Sequence, residues 1–465
     1  MGMLPGQELV ERALALATVD ALTVLVTDTS EASLRWAGNS MTTNGVSTRR
    51  SWTVIAVHGA PAAAGVVTAS TVDPDEIAAV VRSAEEAARR AEPATDAAPP
   101  IAPAGGVDQQ WSARAAATDI GVFDRIADGL ADGFARSDAA GSAATQLYGF
   151  AQHEVRTTWL GSTSGLRRRF DEPIGSVEIN GKRTVDGHPA SAWVGAGSPD
   201  LTGVNVPAML AELDTRLGWS RRTVELPAGR YETVLPPSTV ADLMIPLLWA
   251  MSGRGAHEGR NAFARPGGTR VGERLAAMPL TLSSDPALGG LEYSPFVAVT
   301  SSTDDVSVFD NGMDATAVDW IRDGTLGALA YPRSGATEFA APVAVPGENL
   351  ALTGGSCASL HEMVAATERG LLLTTLWYIR EVDPATLLLT GLTRDGVYLI
   401  EDGRVTAAVN NFRFNESPLD LLRRATEAGA TERTLPREWK DWFTRTAMPP
   451  LRIPDFHMSS VSRAQ

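Results

Sequence analysis

The sequence predicts an α+β fold: an N-terminal α/β region followed by a large, mostly antiparallel β C-terminal domain with interleaved helices. Three observations predict it. Up to about residue 220, apolar residues at helical spacing alternate with β-branched runs. Beyond Arg221 the pattern is mainly the period-two alternation of strands. Two Asp-Gly pairs, Asp323-Gly324 and Asp402-Gly403, separate such runs as two-residue hairpin turns do. With 465 residues, 44% of them hydrophobic, the chain can fill several cores. The expected units are residues 1–90, 110–222 and 223–465.

The first unit opens with a helix over 6–17 and a strand over 22–26. Strands over 33–36 and 48–57 are expected to turn at Asn44-Gly45, where both residues tolerate positive φ. Asp73-Pro74-Asp75-Glu76 starts a helix running to residue 88: Asp caps, Pro occupies the first turn, and the acids meet the positive end of the dipole. Residues 92–106 are rich in proline and small side chains, so they read as an extended or mobile linker. The middle unit should hold a helix over 123–134, strands over 146–150, 154–160 and 166–179, and a helix over 207–217. Its strand order is not readable. Arg167-Arg168-Arg169 could form an anion site, but alternating directions along a strand favour a solvated face.

In the third unit, 224–226 and 231–235 read as strands, and Pro236-Pro237 opens a helix. Val240, Leu243, Met244, Leu247, Leu248 and Met251 form one apolar stripe on it, which should pack on a sheet. Strands are expected over 296–300, 316–330, 371–381, 387–392, 396–400 and 405–412. Helices are expected over 357–368 and 418–427.

A net charge of −15 and a pI near 5.0 argue against a nucleic-acid backbone or an anionic membrane as partner. The single cysteine, Cys357, closes no intramolecular disulfide and suits a reducing compartment, so a cytoplasmic location is expected. The N-terminus lacks the basic segment and cleavage pattern of a signal peptide, and charges or proline interrupt every apolar run long before the roughly 20 residues a membrane helix needs.

Six histidines are present, at positions 58, 153, 188, 257, 361 and 457. His153, His257 and His361 each precede a glutamate. A zinc helix also needs a second imidazole four or five residues on, and Thr157/Thr158, Asn261/Ala262 and Ala365/Ala366 stand there instead. Cys357 could act as a nucleophile at a helix start, although a buried free thiol is the preferred reading. Gly267-Gly268-Thr269-Arg270-Val271-Gly272 lacks dinucleotide spacing and reads as a turn. Asp304, Asp305, Asp310 and Asp314 lack the spacing of a calcium loop and read as an exposed acidic loop.

Several stretches beyond residue 230 resemble the TldD/PmbA metallopeptidase family. They are Phe309-Asp310-Asn311-Gly312, Trp320-Ile321-Arg322-Asp323-Gly324-Thr325-Leu326-Gly327, Gly347-Glu348-Asn349-Leu350 with Arg369-Gly370-Leu371-Leu372-Leu373-Thr374, Gly396-Val397-Tyr398-Leu399-Ile400 running into Asp402-Gly403, and Pro449-Pro450-Leu451-Arg452-Ile453. Where the metal-bearing TldD branch reads His-Glu-x-x-x-His, this chain reads Trp249-Ala250-Met251-Ser252-Gly253-Arg254. Where that branch has a late Gly-x-Cys-Gly, this chain reads Trp442-Phe443-Thr444-Arg445-Thr446-Ala447-Met448. The resemblance therefore implies the TldE (PmbA)-like branch, with Trp249, Ala250 and Arg254 at degenerate motif positions, no metal or cofactor in this chain, and zinc in a TldD-like partner.

Five residues on an ideal helix advance about 500°, so positions 249 and 254 face one centre only if the helix breaks. Gly253-Arg254-Gly255 supplies the break. Trp249 is expected in the core, and Arg254 is expected to carry a fixed charge. The implied function is a non-catalytic subunit of a heteromeric protease acting on unfolded or modified peptides. A stand-alone metallopeptidase with another ligand set and a homodimeric peptide-binding scaffold remain the alternatives.

Overall fold

The structure is a computed structural model that describes residues 4–70, 73–103, 105–140, 145–185 and 187–462. Its N-terminal half contains α1 (Gly6–Leu14), β1 (Ala21–Ala37), β2 (Ser40–His58), β3 (Ala63–Ala69), α2 (Ile77–Arg90), α3 (Asp124–Ala139), β4 (Gln146–Ser162), β5 (Arg167–Val185), β6 (His188–Gly197) and α4 (Val206–Trp219). The strands form one sheet in the order β3-β2-β1-β4-β5-β6, antiparallel throughout. Because β1 pairs with both β2 and β4, residues 1–90 and 110–222 share this sheet.

Period-two alternation assigns its two faces. Val24 and Val26 join Leu9, Val10, Val81 and Ala84 of α1 and α2 in one core, while Leu25 between them points to the opposite face, onto Phe296 and Phe309 of the C-terminal half. A separate core lies under α3 and α4, around Leu34, Trp36, Ile126, Leu130 and Leu213.

The β1–β2 hairpin corrects the expected turn. It closes at Gly38-Asn39, with φ of 58° and 63°, while Asn44 and Gly45 lie within β2 opposite Leu34 and Ser33. A turn at 44–45 would change the parity of the pairing and swing Trp52 and Val54 away from the face that Val24 and Val26 bury. The stretch expected as a linker is extended but docked: the Ala94 amide donates to the Ala62 carbonyl at 2.9 Å, and the Ile101 carbonyl accepts from the Ser164 hydroxyl at 2.8 Å.

The C-terminal half comprises β7 (Thr223–Val224), β8 (Gly229–Leu235), α5 (Pro237–Trp249), α6 (Gly253–His257), β9 (Ala264–Arg265), β10 (Gly268–Thr269), β11 (Thr281–Ser284), β12 (Val318–Arg322) and β13 (Thr325–Leu326). Next come α7 (Arg333–Phe339), β14 (Asn349–Thr353), α8 (Leu360–Ala365), β15 (Arg369–Leu373), β16 (Trp377–Asp383), β17 (Leu388–Leu392), β18 (Val397–Glu401) and β19 (Arg404–Val409). The chain ends with β20 (Phe412–Glu416), α9 (Pro418–Arg424), β21 (Glu427–Ala428), β22 (Glu432–Thr434), β23 (Arg445–Met448) and β24 (Leu451–Val461).

A six-stranded sheet orders β13-β12-β11-β14-β23-β22, and a larger one β16-β17-β20-β24-β8-β15-β18-β19-β7. Most pairs are antiparallel; β14–β23, β8–β15 and β7–β19 are parallel. Both Asp-Gly hairpins form, with positive φ at Asp323, Gly324, Asp402 and Gly403. Residues 296–300, expected as a strand, contribute only a single bridge from Phe296 to Asp314. Their apolar side chains are drawn against the N-terminal sheet instead.

Helix α5 shares one large core with residues of both sheets. It is buried almost all round, Asp242 included, rather than along the single expected stripe. A helix enclosed on every side has no solvent face for its polar groups, so each must find a protein partner.

Candidate functional site

The site is organised by Pro246 inside α5. Lacking an N–H, Pro246 leaves the Asp242 carbonyl without its helical donor. The indole Nε1 of Trp439 fills the gap, donating to that carbonyl at 2.8 Å. The Asp242 carboxylate accepts from the Glu438 amide at 2.9 Å. These two bonds staple the segment before β23 onto α5. Burial raises Asp242 well above the ordinary carboxylate range, against the pull of the hydrogen bond from the Glu438 amide. Its second oxygen has no hydrogen-bond partner among the described residues. Beside it, the Arg437 guanidinium stands 4.9 Å from the Trp377 ring and 5.8 Å from that of Trp193. Burial lowers its pKa, while Asp242 and Glu178 oppose the fall.

Trp249 closes α5. It is 47% exposed, which corrects the expected core position; its ring meets that of Trp439 edge-on at 5.0 Å. The Ala250 and Ser252 carbonyls accept from Asn261 Nδ2 at 3.1 and 2.8 Å. The helix breaks at 250–252, before rather than at the expected Gly253-Arg254-Gly255, which open α6 instead; Ser252 bridges to Ala330 and its hydroxyl caps α6. Gly253 lies flat on Tyr331, leaving a Cβ only 2.1 Å from the ring.

Arg254, on α6, reaches away into a charged surface. It bonds Glu338 through both Nη atoms, lies 3.5 Å from Glu258 and 3.9 Å from Asp304, and stands 5.2 Å over Phe339, which stacks on His257 at 4.2 Å. Hydrogen bonding to Glu338 raises its pKa, so the charge is fixed.

A zinc ion does not fit these residues. An indole, a methyl group and a guanidinium matched by Glu338 offer it no ligand atom. Among the described residues no three His, Cys, Asp or Glu side chains cluster as a metal site. Trp249, Ala250 and Arg254 line neither of two cavities, of about 380 and 370 Å³, found among the described residues.

The other candidates disperse. His58 pairs with Asp20 on the surface at 3.3 Å, and His153 is buried between the Thr118 hydroxyl and the Pro199 carbonyl, burial lowering its pKa. The side chain of His188 lies outside the described residues. His361 is exposed, and its neighbour Glu362 serves the capping box of α8. The backbone of His457 bonds Glu416. Cys357 is exposed rather than buried.

The arginine triplet is neither an anion site nor a free face: Arg167 holds Glu11, Arg168 holds Asp314, and buried Arg169 holds Asp171. The acidic loop is corrected at Asp310, which is fully buried and grips Arg333 at 2.7 Å while accepting its amide at the start of α7. Asp242, Arg437 and Trp439 were missed. The legible signal was a carboxylate inside an apolar helix, four residues before a proline.

The described residues contain no helix long and apolar enough to cross a membrane. In the comparisons with known proteins, the PmbA/TldA metallopeptidase C-terminal domain matches residues 228–460, and domain 1 of the same family matches residues 23–88. No curated protein matches the chain. Among solved structures, TldE from Thermococcus kodakarensis superposes with a TM-score of 0.77 at 14% identity, over 97% of this chain and 99% of that one. A proposed modulator of a DNA gyrase from Thermotoga maritima gives 0.77 at 14% identity, over 97% and 99%. Another, from Bacteroides thetaiotaomicron, gives 0.75 at 14% identity, over 98% of each chain. At such identities the structures speak for the fold, and the domain match carries the assignment: this chain belongs to the TldD/PmbA metallopeptidase family.

Proposed function

We propose that this chain is a TldE-like, non-catalytic subunit of a heteromeric metalloprotease, working in the cytoplasm on unfolded or modified peptides. A TldD-like partner supplies the zinc. The observation that carries this reading is the commitment of the motif positions to other contacts. Trp249 packs on Trp439, and Arg254 is held by Glu338 and Glu258. The exposed indoles of Trp249 and Trp442, the latter 80% exposed, suit a subunit interface, where tryptophan is enriched among the anchoring residues.

The test is metal analysis and peptide cleavage by the isolated chain, then by its mixture with a TldD-like subunit. Metal-free, inactive protein that co-elutes with the partner and promotes cleavage supports the proposal. Stoichiometric zinc together with cleavage by the isolated chain overturns it in favour of a stand-alone enzyme. A homodimer that ignores the partner overturns it in favour of a scaffold. Combining Trp249→His, Ala250→Glu and Arg254→His is expected to leave the chain without chelator-sensitive cleavage, because Trp442 to Met448 offer no thiol to complete the ligand set.

A further inference from the structure

Seven charged side chains alternate in sign across the N-terminal sheet and into the C-terminal half: Glu31, Arg49, Glu154, Arg156, Glu172, Arg445 and Glu348. Strand register builds the ladder, setting Glu31 opposite Glu154 and Arg156 opposite Glu172. Arg49 lies 2.9 Å from Glu31 and 2.6 Å from Glu154; Arg156 bonds Glu154 and lies 3.9 Å from Glu172. Arg445 then stands 3.0 Å from Glu172 and 3.3 Å from Glu348.

Carboxylates occupy both ends, so the ladder sets four carboxyl groups against three guanidiniums. Its inner end is under-bonded as well. Arg445 Nη2 and Glu172 Oε1 are close but out of line, and neither atom has a hydrogen bond among the described residues. Burial first, then Glu348, pushes Glu172 up to about 7 against the pull of Arg445 and Arg156.

Glu348, half-exposed, lines the cavity of about 370 Å³, a volume within the range of small-ligand sites. The cavity's apolar walls include Phe296, Val297, Val299, Met313, Val343 and Val345, with Tyr293, Ser294 and Thr316 also in the lining. The other carboxylate in the lining, Asp314, is already held by Arg168 at 2.7 Å. A cation beside Glu348 continues the alternation, and the walls require it to be joined to an apolar body.

We propose that this cavity binds a primary ammonium carried on an apolar group, in the first place the N-terminal residue of a peptide, with Glu348 pairing the ammonium and the valine-rich wall taking the side chain. The inference rests on the peptide-handling reading for the source of the ligand alone. Calorimetric titration of the isolated full chain with L-leucinamide, and with Leu-Ala-Ala-amide bearing a free or acetylated N-terminus, tests it without partner or metal.

Saturable binding of both free-amine probes is expected, weakened at least tenfold by acetylation or by Glu348→Gln. Val297→Trp, which fills the cavity, should abolish it. Both variants should keep the parent's melting temperature to within a few degrees. Absence of binding by the free amines, or equal binding of the acetylated peptide, overturns the site. Binding of leucinamide but not of the free peptide overturns the peptide source. None of these results bears on whether a TldD-like partner confers cleavage, so the two readings fail separately.

Discussion

The two halves of the broken helix handle charge in opposite ways. On the α5 side, Asp242 and Arg437 are buried, under-bonded and shifted in pKa against their charged forms by burial. On the α6 side, Arg254 sits among Glu338, Glu258 and Asp304 in a network that solvent reaches. Five residues after Trp249, the protein has passed from a site where each polar atom must be matched by geometry to one where charges balance loosely. A buried carboxylate is tolerated at 242 because it fixes the position of 438–439 against α5. The partly exposed guanidinium at 254 fixes no main-chain segment.

The sharpest test of that contrast is Asp242→Ala. It leaves the Glu438 amide unpaired and takes from the buried Arg437 guanidinium the carboxylate that most opposes the effect of its burial. Removing one member of a buried charged arrangement costs about 3–5 kcal/mol. Urea denaturation should show a midpoint shift of that size, and a loss below about 1 kcal/mol would place the stabilisation elsewhere.

The pH dependence sharpens it further. Asp242 has a native pKa raised above its unfolded value, so the stability it contributes is full below about pH 4 and is lost as pH rises through the raised native value. Asp242→Asn cannot ionise and should flatten that decline between pH 4 and 7. Arg254→Ala should leave it intact. An unchanged slope in Asp242→Asn would show that the carboxylate titrates normally.

How much of this was legible in the sequence follows from the range of the interactions. The Asp323-Gly324 and Asp402-Gly403 hairpins depend on neighbours a few residues away, and residue types alone suggested them; a helix break near Gly253 was legible too, although it falls at 250–252, just before the glycines expected to make it. The partner of Trp249 did not show, because Trp439 is 190 positions distant and arrives only when Pro246 frees a carbonyl for it. The β1–β2 turn was misread because Gly38-Asn39 and Asn44-Gly45 are locally equivalent, and only burial of Trp52 and Val54 decides between them. Asp310 was read as a loop acid because its partner, Arg333, is separated from it by a hairpin. Glu172 and Glu348, the inner end of the charge ladder, lie in different halves of the chain and carry no local signature.

Trp439→Phe is expected to have an intermediate effect. It keeps the ring against Trp249 but removes the indole donor to the Asp242 carbonyl, which Pro246 cannot replace. A buried acceptor left unmatched costs about 1–3 kcal/mol. Amide exchange should accelerate at 438–443 while that of the sheet strands stays slow.

Arg254→Ala should have the smallest effect, and its salt dependence is the discriminating measurement. Networks of partly exposed ion pairs contribute roughly 0–1 kcal/mol, and salt screens them. Arg254 is 26% exposed and its partners Glu258, Asp304 and Glu338 between 41% and 50%, so the destabilisation should fade between 0.05 and 0.5 M salt, a range spanning roughly a threefold change in Debye length. A cost that persists at high salt would mean that stacking on Phe339, rather than charge, holds α6 in place, and the contrast between the two sides of the break would then be one of packing.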